Sequence, residues 1–297
     1  MDGKGPLTPV FVTGMDGMLA AAIGRRLRAP EFSCMGSTIE TLDITDRSAF
    51  SAALDVIRPL WVINCAALTN VDDCERDPAL AHRVNAEGAR IVAEECSERG
   101  IALIHFSTDY VFDGSKGSPY VEEDPVNPIN HYGESKLQGE LAVAEACPDH
   151  RILRVSMLYG VDRTNFADFV ASRIESGKPV KAVVDNAGSP THCPDVAEQV
   201  AALIGRPETG VFHCAGAGGC SRLEFAERIR NLWPAPELEI IPVRQTDFPQ
   251  MLARRPADTR LECRRLKQMG LLRLKPWQEA LTDYLASRRA HRSQNSS

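Results

Sequence analysis

An α/β fold, a doubly wound parallel sheet with a smaller C-terminal domain, is predicted by three features of this 297-residue chain. Short apolar runs alternate with longer helical patterns through the first half, the order that builds a parallel sheet with helices on both faces. The runs are close to continuously apolar, as strands buried on both faces must be. A pair of glycines stands directly between the first run and the first helical pattern, where such sheets turn a strand into a helix.

In chain order, residues 10–13 read as a strand, 18–28 as a helix, 32–36 as a weaker strand, 47–57 as a helix and 61–64 as a strand. A long helix over 78–99 stops at Gly100, followed by a strand at 101–106, a helix at 132–146 and a strand at 152–155. Beyond about Tyr159 the alternation loosens. Helices are predicted at 166–176, 194–204 and 222–232 and a strand at 211–214, after which Pro, Gly and Arg crowd residues 234–256. At about 150 residues per domain the length suits two domains. Residues 1–161, with a return at about 188–210, are assigned to a dinucleotide-binding domain, and 162–297 mainly to a substrate domain, with 162–187 and 211–289 supplying most of it. The last ten residues are basic and polar and read as a frayed tail.

Composition narrows the function. Forty acidic against thirty-four basic residues leave a net charge of −6, with no basic face for nucleic acid. Nine cysteines are scattered without a Cys-x-x-Cys, several inside apolar runs, which suits a reducing cytoplasm. The first six residues lack an apolar leader core and no run reaches the roughly 18 apolar residues of a membrane span, so no membrane partner is expected. His192-Cys193, His213-Cys214 and Cys220 match no metal-ligand spacing, and no metal is expected. Glu122-Glu123-Asp124 reads as a solvated loop, and Gly216-Ala217-Gly218-Gly219 lacks the Gly-Lys-Ser/Thr ending of a triphosphate loop.

The glycines belong to Gly14-Met15-Asp16-Gly17-Met18-Leu19-Ala20. A glycine at the strand end permits a tight turn, and a second lets backbone approach a pyrophosphate seated on the helix N-terminus. The second strand ends Met35-Gly36-Ser37-Thr38, without the carboxylate that binds an NAD ribose 2′-hydroxyl, so a 2′-phosphate would meet no repulsion. NADPH is therefore the expected cofactor, with NADH as the alternative. Arg25 and Arg26 could reach such a phosphate, but a solvated face is the simpler expectation for both.

Tyr132-Gly133-Glu134-Ser135-Lys136 places a phenol and an ammonium one helical turn apart on one face. A neighbouring cation favours the phenolate and suits a tyrosine to acid–base work. Upstream, Ser107-Thr108-Asp109-Tyr110-Val111-Phe112-Asp113-Gly114 follows an apolar strand, at the sheet edge where α/β folds bind ligands. Thr108 offers a hydroxyl to a carbonyl, and Tyr110 a flat face to a sugar or base.

The glycine loop, Ala66-Ala67-Leu68-Thr69-Asn70-Val71-Asp72, the Ser-Thr-Asp-Tyr-Val-Phe-Asp-Gly segment and Tyr-x-x-x-Lys stand in the order seen in dTDP-4-dehydrorhamnose reductases, extended short-chain dehydrogenases with a Rossmann-like fold, which the chain resembles from about Val10 to Tyr284. The resemblance implies that Gly14, Gly17, Met18 and Leu19 line the cofactor pyrophosphate and that Ala66, Ala67 and Thr69 pass its adenosine and ribose. It also implies cofactor roles for Ser37, for Ile44 and for Asp43, which could equally serve a helix N-terminus, with Asn85 supporting the strand ends. Thr108, Tyr132 and Lys136 would be catalytic, reducing the 4-keto group of a nucleotide-linked 6-deoxysugar. Lys136 would lower the Tyr132 phenol and hold the nicotinamide ribose. Asn165-Phe166, Gly188-Ser189-Pro190-Thr191 and Arg254-Arg255-Pro256 resemble the segments of the family's nucleotide-sugar pocket. Arg255 would bond the diphosphate or else form a surface turn.

Two positions depart from the family. Met157 stands where an aromatic residue often packs on the substrate, and Asp185-Asn186 replaces an Asp-Gln pair. The alternatives are a reductase or epimerase of another sugar nucleotide, or an NADP-binding regulatory subunit similar to methionine adenosyltransferase beta. A nucleotide sugar is the expected small-molecule partner, and a homodimer is compatible with the sequence.

Overall fold

The computed structural model describes residues 7–233 and 239–295. Residues 1–6, part of the proline-rich stretch at 234–238 and the final two residues lie outside the described ones. The first half runs β1 (Thr8–Thr13), α1 (Met18–Arg26), β2 (Phe32–Gly36), α2 (Arg47–Ile57), β3 (Trp61–Asn64), α3 (Val71–Arg76), α4 (Pro78–His82), α5 (Ala89–Glu98), β4 (Ala102–Thr108), α6 (His131–Ala146) and β5 (His150–Val155). The second half adds β6 (Leu158–Tyr159), α7 (Phe166–Glu175), β7 (Val180–Val183), β8 (Ala187–Gly188), β9 (Thr191–His192), α8 (Cys193–Leu203), β10 (Gly210–His213), β11 (Cys220–Ser221), α9 (Arg222–Leu232), β12 (Ile240–Val243), α10 (Arg264–Gln268) and α11 (Trp277–Asn295).

Six strands form one parallel sheet in the order β10-β5-β4-β3-β1-β2. This is the doubly wound order 2-1-3-4-5 extended by β10, and it reverses between β1 and β3, where such folds open a crevice. Alternate side chains of β1 serve opposite faces: Val10 and Val12 join the layer under α1 and α8, while Phe11 packs with Phe50, Val92 and Val143 of α2, α5 and α6. The strand at 210–213, placed by the sequence with the C-terminal part, returns to the main sheet beside β5. A separate apolar cluster joins α7, α9 and α11 through Val170, Phe225, Ile229, Leu281 and Tyr284.

Two expectations need correction. The helix expected over 78–99 is interrupted by a π-helical turn at Arg83–Gly88, a widening that places Asn85 inside the protein. The frayed tail is instead helical to Asn295, because α11 buries Leu281, Tyr284 and Leu285, and Arg288 is held by Asp168 at 2.9 Å and Glu175 at 2.7 Å.

The cysteines are free thiols, seven buried and Cys34 and Cys65 half-buried. Among the described residues no helix is long and apolar enough to cross a membrane, and no group of three or more His, Cys, Asp or Glu could hold a metal ion.

Candidate active site

The crevice between β1 and β3 is built by their own ends. Thr13 Oγ1 donates to Asn64 Oδ1 at 2.7 Å, and both oxygens accept from the Ala66 amide, which fixes where the 65–69 loop begins. Gly14 has φ +68°, and a Cβ there would lie 2.9 Å from the Ala66 nitrogen, so only glycine lets the two loops meet. Gly17 caps α1 without any side-chain hydrogen bond, and the first turn holds no acid. The helix therefore presents uncompensated N–H groups and its positive end to the crevice.

A cleft of about 370 Å³ starts there, lined by Gly17, Met18, Leu19, Ala67 and Thr69 at one end and by Thr108, Tyr132, Lys136 and Met157 at the other. Beside the glycine loop, Ser37 accepts from the Met15 amide through its carbonyl, and its own Oγ is buried without a partner. A bare helix N-terminus, a backbone cradle that a Cβ would fill and an orphaned hydroxyl together fit a dinucleotide.

Three cofactor residues named from sequence have other work. Asn85 is buried away from the cleft, and its side chain accepts from the Leu68 amide (2.8 Å) and donates to the Leu68 carbonyl (3.0 Å) and Ser135 Oγ (3.0 Å), so it splints the loop. Asp43 accepts from the amide and hydroxyl of Thr45, while the neighbouring Asp46 caps α2. Ile44 is core, packed over Gly88. Arg25 is paired with Asp162 (2.7 Å at the longer contact), and Arg26 with Glu198 (2.8 Å) and Glu31 (3.2 Å), so neither guanidinium is free for a 2′-phosphate.

Thr108 ends β4 and starts a 3₁₀ turn, its Oγ1 accepting from the Tyr110 amide (3.2 Å) and donating to Asp109 Oδ1 (3.1 Å). Helix α6, capped by Asn130, brings Tyr132 and Lys136 to the same edge. It can approach because residue 133 is glycine: a Cβ there would stand 2.2 Å from the Tyr110 carbonyl oxygen. Tyr132 meets Tyr110 edge to face at 5.8 Å.

Lys136 is buried, with Nζ donating to the Phe106 carbonyl at 2.6 Å. Burial lowers its pKa to about 8, and Glu140, one turn further along α6, opposes that fall. Glu140 is itself buried in a bidentate pair with Arg154 (2.9 and 2.7 Å), and such a pair costs about 3–5 kcal/mol to break from one side. The phenol departs from expectation. Rather than being lowered by Lys136, the Tyr132 pKa is driven well up, chiefly by burial, with hydrogen bonding to Thr108 opposing. Such a phenol keeps its proton, as an acid requires.

Asp109 was in view in the sequence but carried no role there. It is buried and accepts from Thr108, from Ser156 at 2.7 Å and from Thr259 at 2.5 Å. Burial raises its pKa and the three hydroxyls lower it. Ser156 could have been suspected as the neighbour of Met157, but Thr259, 150 residues away, leaves no local signal.

A second cavity of about 500 Å³ lies beyond Tyr110, with Phe166, Phe169, Asn186, Arg222 and Arg255 among its walls. Arg255 is a double donor to Asp72 (2.8 and 2.9 Å) and also bonds the Ala253 carbonyl. Asn165 lines neither cavity: it caps α7, accepting from the Ala167 and Asp168 amides and donating to the Gly160 carbonyl. Met157 lines the first cleft at φ +44°, a left-handed backbone that non-glycine residues rarely hold and that clusters at functional sites.

Comparison with known proteins finds similar chains over nearly the whole length. The family description "RmlD substrate binding domain" matches residues 8–290. A dTDP-4-dehydrorhamnose reductase of Sinorhizobium fredii is 34% identical over 279 residues, 91% of this chain and 94% of its own length. Its counterpart from Streptomyces griseus is 38% identical over 285 residues, 92% of this chain and 91% of its own. The solved dTDP-4-dehydrorhamnose reductase of Bacillus anthracis, in complex with NADP, superposes with a TM-score of 0.91 at 33% identity, covering 95% of this chain and 100% of that one.

Proposed function

The chain belongs to the RmlD family of dTDP-4-dehydrorhamnose reductases, and on that premise we propose that the cleft at Thr108, Tyr132 and Lys136 is where the 4-keto group of a nucleotide-linked 6-deoxysugar is reduced. The protein is an NADPH-dependent oxidoreductase of the dTDP-4-dehydrorhamnose reductase type. When bound, NADPH supplies the hydride.

The chain's own residues do the rest. Gly14 and the bare start of α1 would hold the pyrophosphate, and Ser37 Oγ, unpartnered beside the glycine loop, would be the hydroxyl offered to the ribose. Lys136, charged below about pH 8, holds the nicotinamide ribose and balances charge beside the phenol. The observation that carries the assignment is the Tyr132 phenol, raised by burial and seated with Thr108 at the sheet edge. It retains its proton until the carbonyl oxygen gathers negative charge, then gives it to that oxygen. The carbon gains a hydride, the oxygen a proton, and an alcohol results.

The cavity beyond Tyr110 is proposed to take the nucleotide end of the substrate. The apolar clusters support a division near residue 161, with 188–215 and also the stretch Leu261–Leu274 packed into the core of the first domain. Nine free thiols support placement in the reducing cytoplasm. A reductase of a related sugar nucleotide is the second reading, favoured by a strained Met157 in the cleft wall where an aromatic residue was expected.

The test is NADPH oxidation followed at 340 nm with dTDP-4-keto-6-deoxysugars of both C5 configurations. Stoichiometric oxidation with the L-lyxo epimer, dTDP-4-dehydrorhamnose, is expected. Tight NADPH binding without turnover of either epimer would contradict the assignment.

A further inference from the structure

The cavity beyond Tyr110 is lined by four cations, Arg173, Lys181, Arg222 and Arg255, and by no carboxylate. That imbalance asks for an anion, and the four are not equivalent. Arg255, the diphosphate candidate from sequence, has both arms of its fork committed to Asp72, whose carboxyl is held down at about 2 by that contact. Its charge is neutralised before any ligand arrives. Arg173 donates to the Pro179 carbonyl at 3.1 Å and stacks on Phe169, which is 40% exposed, so it stands at the mouth with the exposed Lys181.

Arg222 differs. It is the first residue of α9, fixed there by the Ser221–Glu224 capping box and by its own amide donating to the Asn186 carbonyl. Its guanidinium lies 5.2 Å over the Phe166 ring, which stacks in turn on Phe225. Among the described residues no carboxylate pairs with it, and burial pushes its pKa below the usual arginine value. An unpaired, partly desolvated guanidinium with a fixed plane is suited to a bidentate anion, because the ligand supplies the countercharge that the protein withholds. It is also close enough to Asp109 and Tyr110 to bias their charges, and Tyr110 touches Tyr132. An anion on Arg222 therefore belongs to the same substrate as a carbonyl at Tyr132.

We infer that Arg222, rather than Arg255, is the cation that binds the diphosphate of the nucleotide sugar, with Phe166 holding its guanidinium plane and the Asp72–Arg255 pair serving as a strut of the cavity wall. This rests on the proposed function, since it takes the substrate to be a nucleoside diphosphate sugar.

The experiment titrates dTDP and thymidine into the NADPH-loaded enzyme and its Arg222→Met and Arg222→Lys variants, with steady-state kinetics on the 4-keto sugar alongside. Loss of one charge-assisted fork is expected to weaken dTDP and raise KM by about 30-fold in Arg222→Met, with thymidine affinity and kcat changed less than about threefold. Arg222→Lys keeps the charge without the fork and recovers only part of the loss. An unchanged NADPH affinity and thermal midpoint certify the fold. Wild-type turnover together with dTDP affinity in Arg222→Met within about twofold of wild type overturns this inference alone. An equal loss of thymidine binding also overturns it, since that makes Arg222 a wall residue. A wild-type protein that neither binds dTDP nor turns over the sugar overturns the proposed function and this inference with it.

Discussion

Tyr132→Phe is expected to lower kcat by about a thousandfold, the middle of the range for a positioned general acid, while NADPH affinity and the thermal midpoint stay near wild type. The phenol combines a retained proton with a place beside Thr108 in the cleft. Phenylalanine keeps the edge-on contact with Tyr110 and the packing of α6, so only the hydroxyl, with its proton and its hydrogen bond to Thr108, is removed. Single-turnover NADPH oxidation at 340 nm measures the effect. A loss below about tenfold would assign the proton to another group or to water.

Lys136→Met is expected to cost roughly a hundredfold or more in kcat/KM, as for loss of a preorganised charge at a reacting centre, and to remove the alkaline limb of the pH profile. In wild type the ammonium is present below about pH 8 and is lost above it, so activity should fall about tenfold per pH unit on that side. The stability consequence has the opposite sign. The folded-state pKa lies below the usual lysine value of 10.5, so between about pH 8 and 10.5 the unfolded chain holds a proton that the folded one does not. Wild-type stability therefore receives a rising contribution through that window, roughly 3 kcal/mol at most, and Lys136→Met lacks it. Denaturant midpoints at pH 7.5 and 10 for both proteins check the sign.

What could be read in the sequence was local. Tyr132 and Lys136 share a helix face by spacing, Thr108 closes a buried strand, and the resemblance to the family joined the three. The inner strands were legible because both their faces are covered, whereas the half-exposed edge strand β2 read more weakly and the return of β10 depends on where the chain comes back in space. The errors share a physical cause. An asparagine that caps a helix and one that binds a ligand look identical in one dimension, and Asn165 proved to be a cap. Arg255 reads from sequence as a diphosphate ligand or a surface turn, and its partner Asp72, 183 residues away, is invisible there. Asp109 collects Thr108, Ser156 and Thr259 from three separate segments, so its place at the centre of the site follows only from the fold. The two-residue strands β6, β8, β9 and β11 are too short for any period, and the arginine-rich sequence of α11 hides the apolar stripe at Leu281, Tyr284 and Leu285.

The central claim is that this cleft joins a hydride to a sugar carbonyl carbon while Tyr132 protonates the oxygen. It is tested most directly by running the reaction with NADPH carrying deuterium at either of the two nicotinamide C4 positions and examining the product by mass spectrometry and NMR. The account predicts that one of the two labelled cofactors delivers a single deuterium to C4 of the sugar and that Tyr132→Phe delivers almost none in the same time. A product unlabelled by either cofactor, or label lost to solvent before it reaches the sugar, would contradict it.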